Sequence, residues 1–403
     1  MKKIFLFLIF ACVYFWRIYF SQNLFIREGD WVKLSGLITR EPYLSGSNQV
    51  VYLDQFILKT QAQPRYHYGQ SIKVIGRVDQ RVIKASRVNF VLINPAIHLL
   101  AGGENGGDQA AWFSRLNHSL VNLFNRLLPS PHAGLLAGIL LGAKGELGQE
   151  FTQNLQQTGT IHIVVASGYN LCVVAGFCLV ILLRYFKRPF AIVLSVFGLL
   201  FYLFLAGGEP PLVRATLMAG FAFLAQLTGR DYAGLRGLML AAGAMLLVSP
   251  RLIFDLGFLL SVAATAGLLV IKIPKIPEAL GVTFSAQILA LPLLFYAFGQ
   301  FNLLSPLINL LVLPLVPFLM ILGAVLTVIG WVPVLGQLAA FLVYAPLEYF
   351  VQIINFFGQT NFAVLKVEQV SFRWIIIYYL LIFNFKFLIN IKYQMFKLFK
   401  IKN

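Results

Sequence analysis

Apolar residues run along most of this chain in unbroken stretches of roughly 18–25, the length that spans a hydrocarbon core of about 30 Å as helix. Such runs predict spans at 4–20, 161–183, 190–206, 212–227, 233–248, 252–271, 282–298, 303–329, 334–357 and 374–391, about ten in all. The run over 303–329 carries Pro306, Pro314 and Pro317 and is expected to be broken or re-entrant, because an interrupted backbone needs protein or water partners. A shorter apolar stretch, 134–142, cannot span and reads as a re-entrant or buried segment.

Two segments break this pattern. Between 27 and 98 the runs shorten and become rich in Val, Ile and Tyr, with partial period-2 alternation and punctuation by Gly, Pro, Asn and Asp, as in Glu41-Pro42-Tyr43-Leu44-Ser45-Gly46-Ser47-Asn48. That pattern predicts a small β-barrel or sandwich, and five or so strands in that length suit an OB-type barrel. After the flexible linker Ala101–Asp108, the residues Trp112, Leu116, Leu120, Leu123, Phe124 and Leu127 recur at helical spacing. They predict an amphipathic helix, lying either in the membrane interface or against the rest of the protein.

The expected fold is therefore a polytopic α-helical membrane protein of about ten spans, with a small extracytoplasmic all-β OB-like domain inserted after the first. The chain divides into a first span (1–26), the OB-like domain (27–100), linker and amphipathic helix (101–131), a polytopic domain (132–391) and a basic tail (392–403).

Composition narrows the function. Of 403 residues, 59% are hydrophobic and 12% charged, against about 25% charged in a soluble domain. A soluble enzyme, a secreted disulfide scaffold and a disordered tail are excluded. Cys12, Cys172 and Cys178 all lie in apolar runs and offer neither a disulfide framework nor a zinc site. Cys12 follows a basic start and an apolar stretch, but Phe10 and the continuing run through Val13–Trp16 favour an uncleaved span over lipidation.

The net charge of +17 is partly topological. Lys2 and Lys3, the Arg184, Lys187 and Arg188 loop, Lys272 with Lys275, and the tail Lys392, Lys397, Lys400 and Lys402 all fall on one side if ten spans alternate. That side is the cytoplasm, so both termini are expected there. The β-domain then lies outside, yet residues 27–98 hold ten Lys+Arg against five Asp+Glu. Topology does not explain that surplus. Arg65, Tyr66, Tyr68, Lys73 and Arg77 combine cations with aromatic faces, the ingredients of single-strand binding on OB folds. The competing reading has the tyrosines filling the barrel or anchoring it at the interface.

Polar groups inside spans are the chief candidates for chemistry, since a mid-bilayer Arg or Asp costs at least about 2.5–3.5 kcal/mol. Four clusters occur: His162 with Ser167, Gly168 and Asn170; Glu209-Pro210-Pro211 leading to Arg214; Ser249-Pro250-Arg251 with Asp255 and Ser261; and Gln287 and Pro292 with Gln300 and Asn302. A continuous helix would set His162, Ala166 and Asn170 on one face. Any single one can be an interhelical hydrogen bond, but four suggest a polar path. Arg214, just inside a proline-initiated helix, suits a phosphate. Asp255 would repel one and is expected to pair with Arg214, Arg236 or Arg251. No phosphate loop, metal-ligand histidine pair, nucleophile elbow or triad is present, so neither enzyme activity, metal nor cofactor is expected.

The blocks Thr158-Gly159-Thr160-Ile161-His162-Ile163-Val164-Val165-Ala166-Ser167-Gly168-Tyr169-Asn170, Pro210-Pro211-Leu212-Val213-Arg214-Ala215, Asp255-Leu256-Gly257-Phe258-Leu259-Leu260-Ser261, and Leu291-Pro292-Leu293-Leu294 through Asn309 resemble, in order, the signature of the ComEC-type competence DNA-uptake channels. The resemblance implies passage of one DNA strand across the membrane during natural transformation. It assigns the path to His162, Ser167, Gly168, Asn170, Arg214, Asp255, Gln287 and Gln300, with Pro210, Pro211 and Pro306 setting helix starts and breaks. It also implies as partners single-stranded DNA, membrane lipid, a membrane DNA receptor, a helicase-like motor and a single-strand-binding protein, and leaves room for a homo-oligomer. Asn170 stands where the family usually has a second His. Many members add a metallo-β-lactamase-like domain; no His-x-His-x-Asp-His occurs here, so strand degradation is expected from a separate nuclease. From the residues alone, a transporter or flippase for a smaller anionic solute, or a non-transporting membrane scaffold, stays open.

Overall fold

The computed structural model describes residues 28–382 apart from 39, 46–47, 54–55, 62, 65, 67–70, 85–86, 100–103, 144–146, 165–166, 272, 274–276, 360–363, 367–373 and 376. The predicted first span, the lipidation candidate Cys12 and the basic tail lie outside the described residues.

Alternating short runs form eight strands: β1 (Trp31–Leu37), β2 (Arg40–Ser45), β3 (Asn48–Leu53), β4 (Phe56–Gln61), β5 (Ser71–Arg77), β6 (Gln80–Lys84), β7 (Arg87–Ile93) and β8 (Ala96–Leu99). One sheet has the order β2-β3-β4-β7-β6 and the other β1-β5-β8. Pairing is antiparallel except between β4 and β7, which run parallel with Phe56 opposite Phe90 and Leu58 opposite Leu92. The inward positions Val51, Leu58, Ile72, Val74 and Leu92 are sealed from solvent, each worth about 1.5–3 kcal/mol of burial. Only two residues separate β1 from β2, and two separate β5 from β6.

The amphipathic helix is α1 (Glu104–Leu127), followed by α2 (His132–Leu141), α3 (Gln149–Gln157) and α4 (Ile161–Val164). Leu120, Val121, Leu123 and Phe124 of α1 are buried in the helical core, so its apolar face packs on protein and not solely on the interface. Asn117 fixes it there by donating to the carbonyls of Leu141 and Leu205. All ten residues of α2 are buried, as an apolar-all-round helix requires.

The remaining helices are α5 (Gly168–Tyr185), α6 (Arg188–Leu205), α7 (Pro210–Leu227), α8 (Gly234–Val248), α9 (Leu256–Val270), α10 (Glu278–Phe298), α11 (Ser305–Val312), α12 (Leu315–Ile329) and α13 (Pro333–Gly358). Between α10 and α11 lies β9 (Gln300–Asn302), paired with β10 (Val364–Lys366) after α13. Among the described residues five helices, α5, α6, α7, α10 and α13, are long and apolar enough to cross a membrane, and α11 with α12 makes a sixth, bent by 40°. The break falls at Pro314, which precedes α12. Helices α8 and α9, each of 15 residues, are shorter, and the last predicted span is described only in part. This is a membrane protein, mostly helical, with small sheets.

One expectation fails. The predicted span 161–183 is not one helix: α4 ends at Val164 and α5 starts at Gly168. Ser167 is the reason. Its extended backbone (φ −109°, ψ 164°) stops the helix, and its hydroxyl accepts from the Asn170 amide to start a new one. His162 and Asn170 therefore do not share a helix face.

Candidate functional site

Three helices present their first turns to one another. α5 opens with the Ser167 cap, α7 with the pair Pro210-Pro211 at positions that need no amide donor, and α9 with Asp255, whose carboxylate accepts from the Phe258 amide at 2.9 Å. Short links reverse the chain between α5 and α6 and between α6 and α7, which puts α5 and α7 parallel. Glycines then let the starts approach. A Cβ on Gly168 would lie 3.1 Å from Arg214 Nη2 and 3.3 Å from the Ala215 Cβ, and one on Gly257 would lie 3.8 Å from Pro211.

Arg214 sits at the centre of this arrangement and is 5% exposed. Its Nε donates to Ser261 Oγ at 2.9 Å and its Nη1 contacts Met218 Sδ at 3.2 Å. No carboxylate pairs with it among the described residues. The expected Arg214–Asp255 pair is thus absent, because Asp255 turns back to cap α9 while Arg214 reaches Ser261, six residues further on. Arg236 is exposed, and the Arg251 side chain lies outside the described residues. A guanidinium beside the positive end of α5 is electrostatically unfavourable alone and favourable with an anion between them.

The other predicted path residues form a second group. Asn170 is fully buried and donates to the Ile139 carbonyl at 2.9 Å, while Ser167 Oγ donates to Asn170 Oδ1. Asn170 therefore ties α5 to α2. His162 is exposed, with Nδ1 2.9 Å from the Gly159 carbonyl. Gln287 donates to Ser305 Oγ at 3.2 Å, and Ser305 lies over Gly159, whose φ of +72° suits a residue without Cβ. Asn302 locks the same turn by donating to the Gln157 carbonyl. Pro306 is buried in the first turn of α11. Gln300 opens β9, but its side chain lies outside the described residues.

In the β-domain Arg65 and Tyr68 lie outside the described residues. Tyr66 is a correction to the expected contact set: it is 6% exposed in the core of the β-domain, and its backbone and the buried Gln49 side chain exchange two hydrogen bonds. Burial raises its phenol above the ordinary tyrosine range. Lys73 and Arg77 do lie on the outer face of β5, and Arg77 Nε donates to the Gly29 carbonyl. Register adds residues the sequence reading missed. Trp31, 75% exposed, lies opposite Arg77, and His98 lies opposite Lys73, with Lys33 two residues along from Trp31. Alternation alone placed Trp31 with Lys33; only the β1–β5–β8 pairing placed both beside Lys73 and Arg77.

Comparison with known proteins gives a consistent family. The chain is 28% identical over 217 residues to ComE operon protein 3 of Bacillus subtilis, covering 52% of this chain and 28% of that protein. It is 30% identical over 276 residues to Competence protein ComA of Neisseria gonorrhoeae, covering 64% of this chain and 40% of that one. Recombination protein 2 of Haemophilus influenzae is 30% identical over 144 residues, covering 34% and 18%. The matches thus span less than half of each of these relatives. No solved structure matches. The Competence protein family matches residues 139–391, a stretch that holds α5, α7, α9 and the Arg214 junction, and this chain belongs to that family.

Proposed function

We propose that the chain carries single-stranded DNA across the bacterial cytoplasmic membrane during natural transformation, with about ten spans, both termini cytoplasmic and the β-domain outside. The observation that carries this reading is Arg214. It is a buried cation that meets no carboxylate among the described residues, set against a helix start, inside the segment that matches the competence family. A nucleic-acid strand brings one negative charge per nucleotide, and a phosphate at this junction would complete both the guanidinium and the α5 dipole. The bound strand is the partner; a membrane receptor, a helicase-like motor, a single-strand-binding protein and a separate nuclease would complete the system. The chain itself acts without catalysis.

For the β-domain we read an OB-type barrel. The strand order, the parallel β4–β7 pair and the near-continuous β1–β2 and β5–β6 strands support it. Its outer β1–β5–β8 face, with Trp31, Lys33, Lys73, Arg77 and His98, offers the stacking platform and cations a single strand needs.

The test is transformation frequency with added linear DNA in a deletion strain complemented by wild type, Arg214→Ala or Arg214→Lys. Losing a charge-assisted hydrogen bond worth about 1.5–3 kcal/mol predicts a fall of roughly ten- to a hundredfold for Arg214→Ala. Arg214→Lys should recover part of it. Full transformation by Arg214→Ala at normal protein levels overturns the path through this junction. Trp31→Ala should weaken single-strand binding by the full-length protein while leaving its folding intact, and unchanged binding removes the β-domain face from the proposal.

A further inference from the structure

A second buried polar group lies apart from the Arg214 junction. His132, the first residue of α2, is 5% exposed. Its Nε2 lies 2.6 Å from Glu348 Oε2 on α13. Its ring stacks on Tyr344 with centroids 4.6 Å apart. The Tyr344 hydroxyl also donates to Glu348 Oε2 at 3.1 Å, and Gln352 Nε2 donates to Oε1 at 2.9 Å. Tyr344, Glu348 and Gln352 stand at i, i+4 and i+8, one face of α13. Glu348 is 15 residues into that 26-residue helix, about 22 Å from its start at the usual rise of about 1.5 Å per residue. The cluster therefore sits well inside a helix long and apolar enough to cross a membrane, with the His132 side chain buried and that of Glu348 32% exposed.

No other charge completes it. Among the described side chains, the elements packed on α2 and α13 bring Arg115, His118 and Arg126 from α1, Glu150 from α3 and His162 from α4; α11 and α12 bring none. Arg115, Arg126, Glu150 and His162 are exposed. The partners of Glu348 are His132, Tyr344 and Gln352. The other ring nitrogen, His132 Nδ1, is buried with no partner among the described residues.

We propose that His132 and Glu348 form a proton-binding site at the α2–α13 contact, occupied by one exchangeable proton. With a neutral imidazole donating through Nε2, the pair carries the carboxylate's single negative charge, and Nδ1 is an unused acceptor. Taking one proton from water at Nδ1 gives imidazolium against carboxylate, which is neutral overall and holds α2 to α13 by a charge-assisted bond. A neutral pair is the cheaper state to keep at this depth. The orphaned nitrogen is thus the position that gains and loses the proton, and the helix contact becomes dependent on it. The inference stands independently of what the protein transports.

The experiment uses the full chain in lipid nanodiscs with 15N-labelled histidine, followed by NMR from about pH 5 to about pH 9. His132→Gln identifies the His132 ring signal. The expected result is a single protonation step at His132 within that range, moved to lower pH by about one unit or more in Glu348→Gln, since the neighbouring carboxylate that favours the imidazolium is gone. Tyr344→Phe, which keeps the ring stack, should leave the step in place. A His132 ring in one protonation state throughout the range in the wild type overturns the proposal, whether or not the variant folds. So does a step that Glu348→Gln leaves unmoved.

Discussion

Arg214 and His132 are both about 95% buried basic side chains in one helical bundle, but their surroundings are opposite. His132 faces a carboxylate that is itself held by two further donors. Arg214 faces a hydroxyl, a thioether and the positive end of a helix. The first arrangement pairs its charge within the chain at the α2–α13 contact, leaving His132 Nδ1 without a partner among the described residues. The second finds no carboxylate among the described residues, and in the proposed function an anion from outside the chain completes it. Burial alone therefore does not distinguish the two side chains; the partner of the charge does.

That contrast is broken most sharply by Arg214→Met. Transformation should fall by roughly ten- to a hundredfold while the unfolding temperature of the purified protein in detergent holds or rises, because an uncompensated buried charge is gone. A fall in both would make Arg214 a structural residue. At the other site the sign reverses. Glu348→Leu leaves the His132 ring with two unpaired nitrogens and should cost about 1–3 kcal/mol, and adding His132→Leu should return most of it. Calorimetry of the single and double variants reads this directly, and additive losses would dissolve the pair. Smaller again, Ser167→Ala removes the α5 cap and should cost about 1 kcal/mol, with Arg214-dependent transport reduced because the α5 start drifts. Ser261→Ala should be mildest, at about 0.5–1.5 kcal/mol of stability, since Arg214 keeps its Met218 contact and its position beside Gly168.

Much of the architecture was legible along the chain. Long apolar runs marked α5, α6, α7, α10 and α13, the prolines at 306, 314 and 317 marked the bent α11–α12 pair, and alternation marked the strands. Arg214, Ser261, Asn170 and Gln287 were visible because polar residues stand out in apolar runs. What was not legible depended on direction. Tyr66 has the look of a surface aromatic among cations, yet it packs in the core of the β-domain, where its backbone is tied to Gln49. Asp255 also caps α9, accepting from the amide three residues on, a role that its expected pairing with a cation did not announce. His132 and Glu348, 216 residues apart, gave no local signal of each other.

By itself, then, the sequence determined the solvent of each segment and its period: which stretches must be helical because lipid offers no hydrogen bonds, and which must pair as strands. It also carried the family signature between 139 and 391. The tertiary structure decided which polar groups meet. Close approach at Gly168 and Gly257 gathers three helix starts around Arg214, and the packing of α2 on α13 brings an imidazole to a carboxylate. Whether a buried charge is paired or left open depends on distances of a few ångströms between remote segments, and one-dimensional pattern holds no record of those.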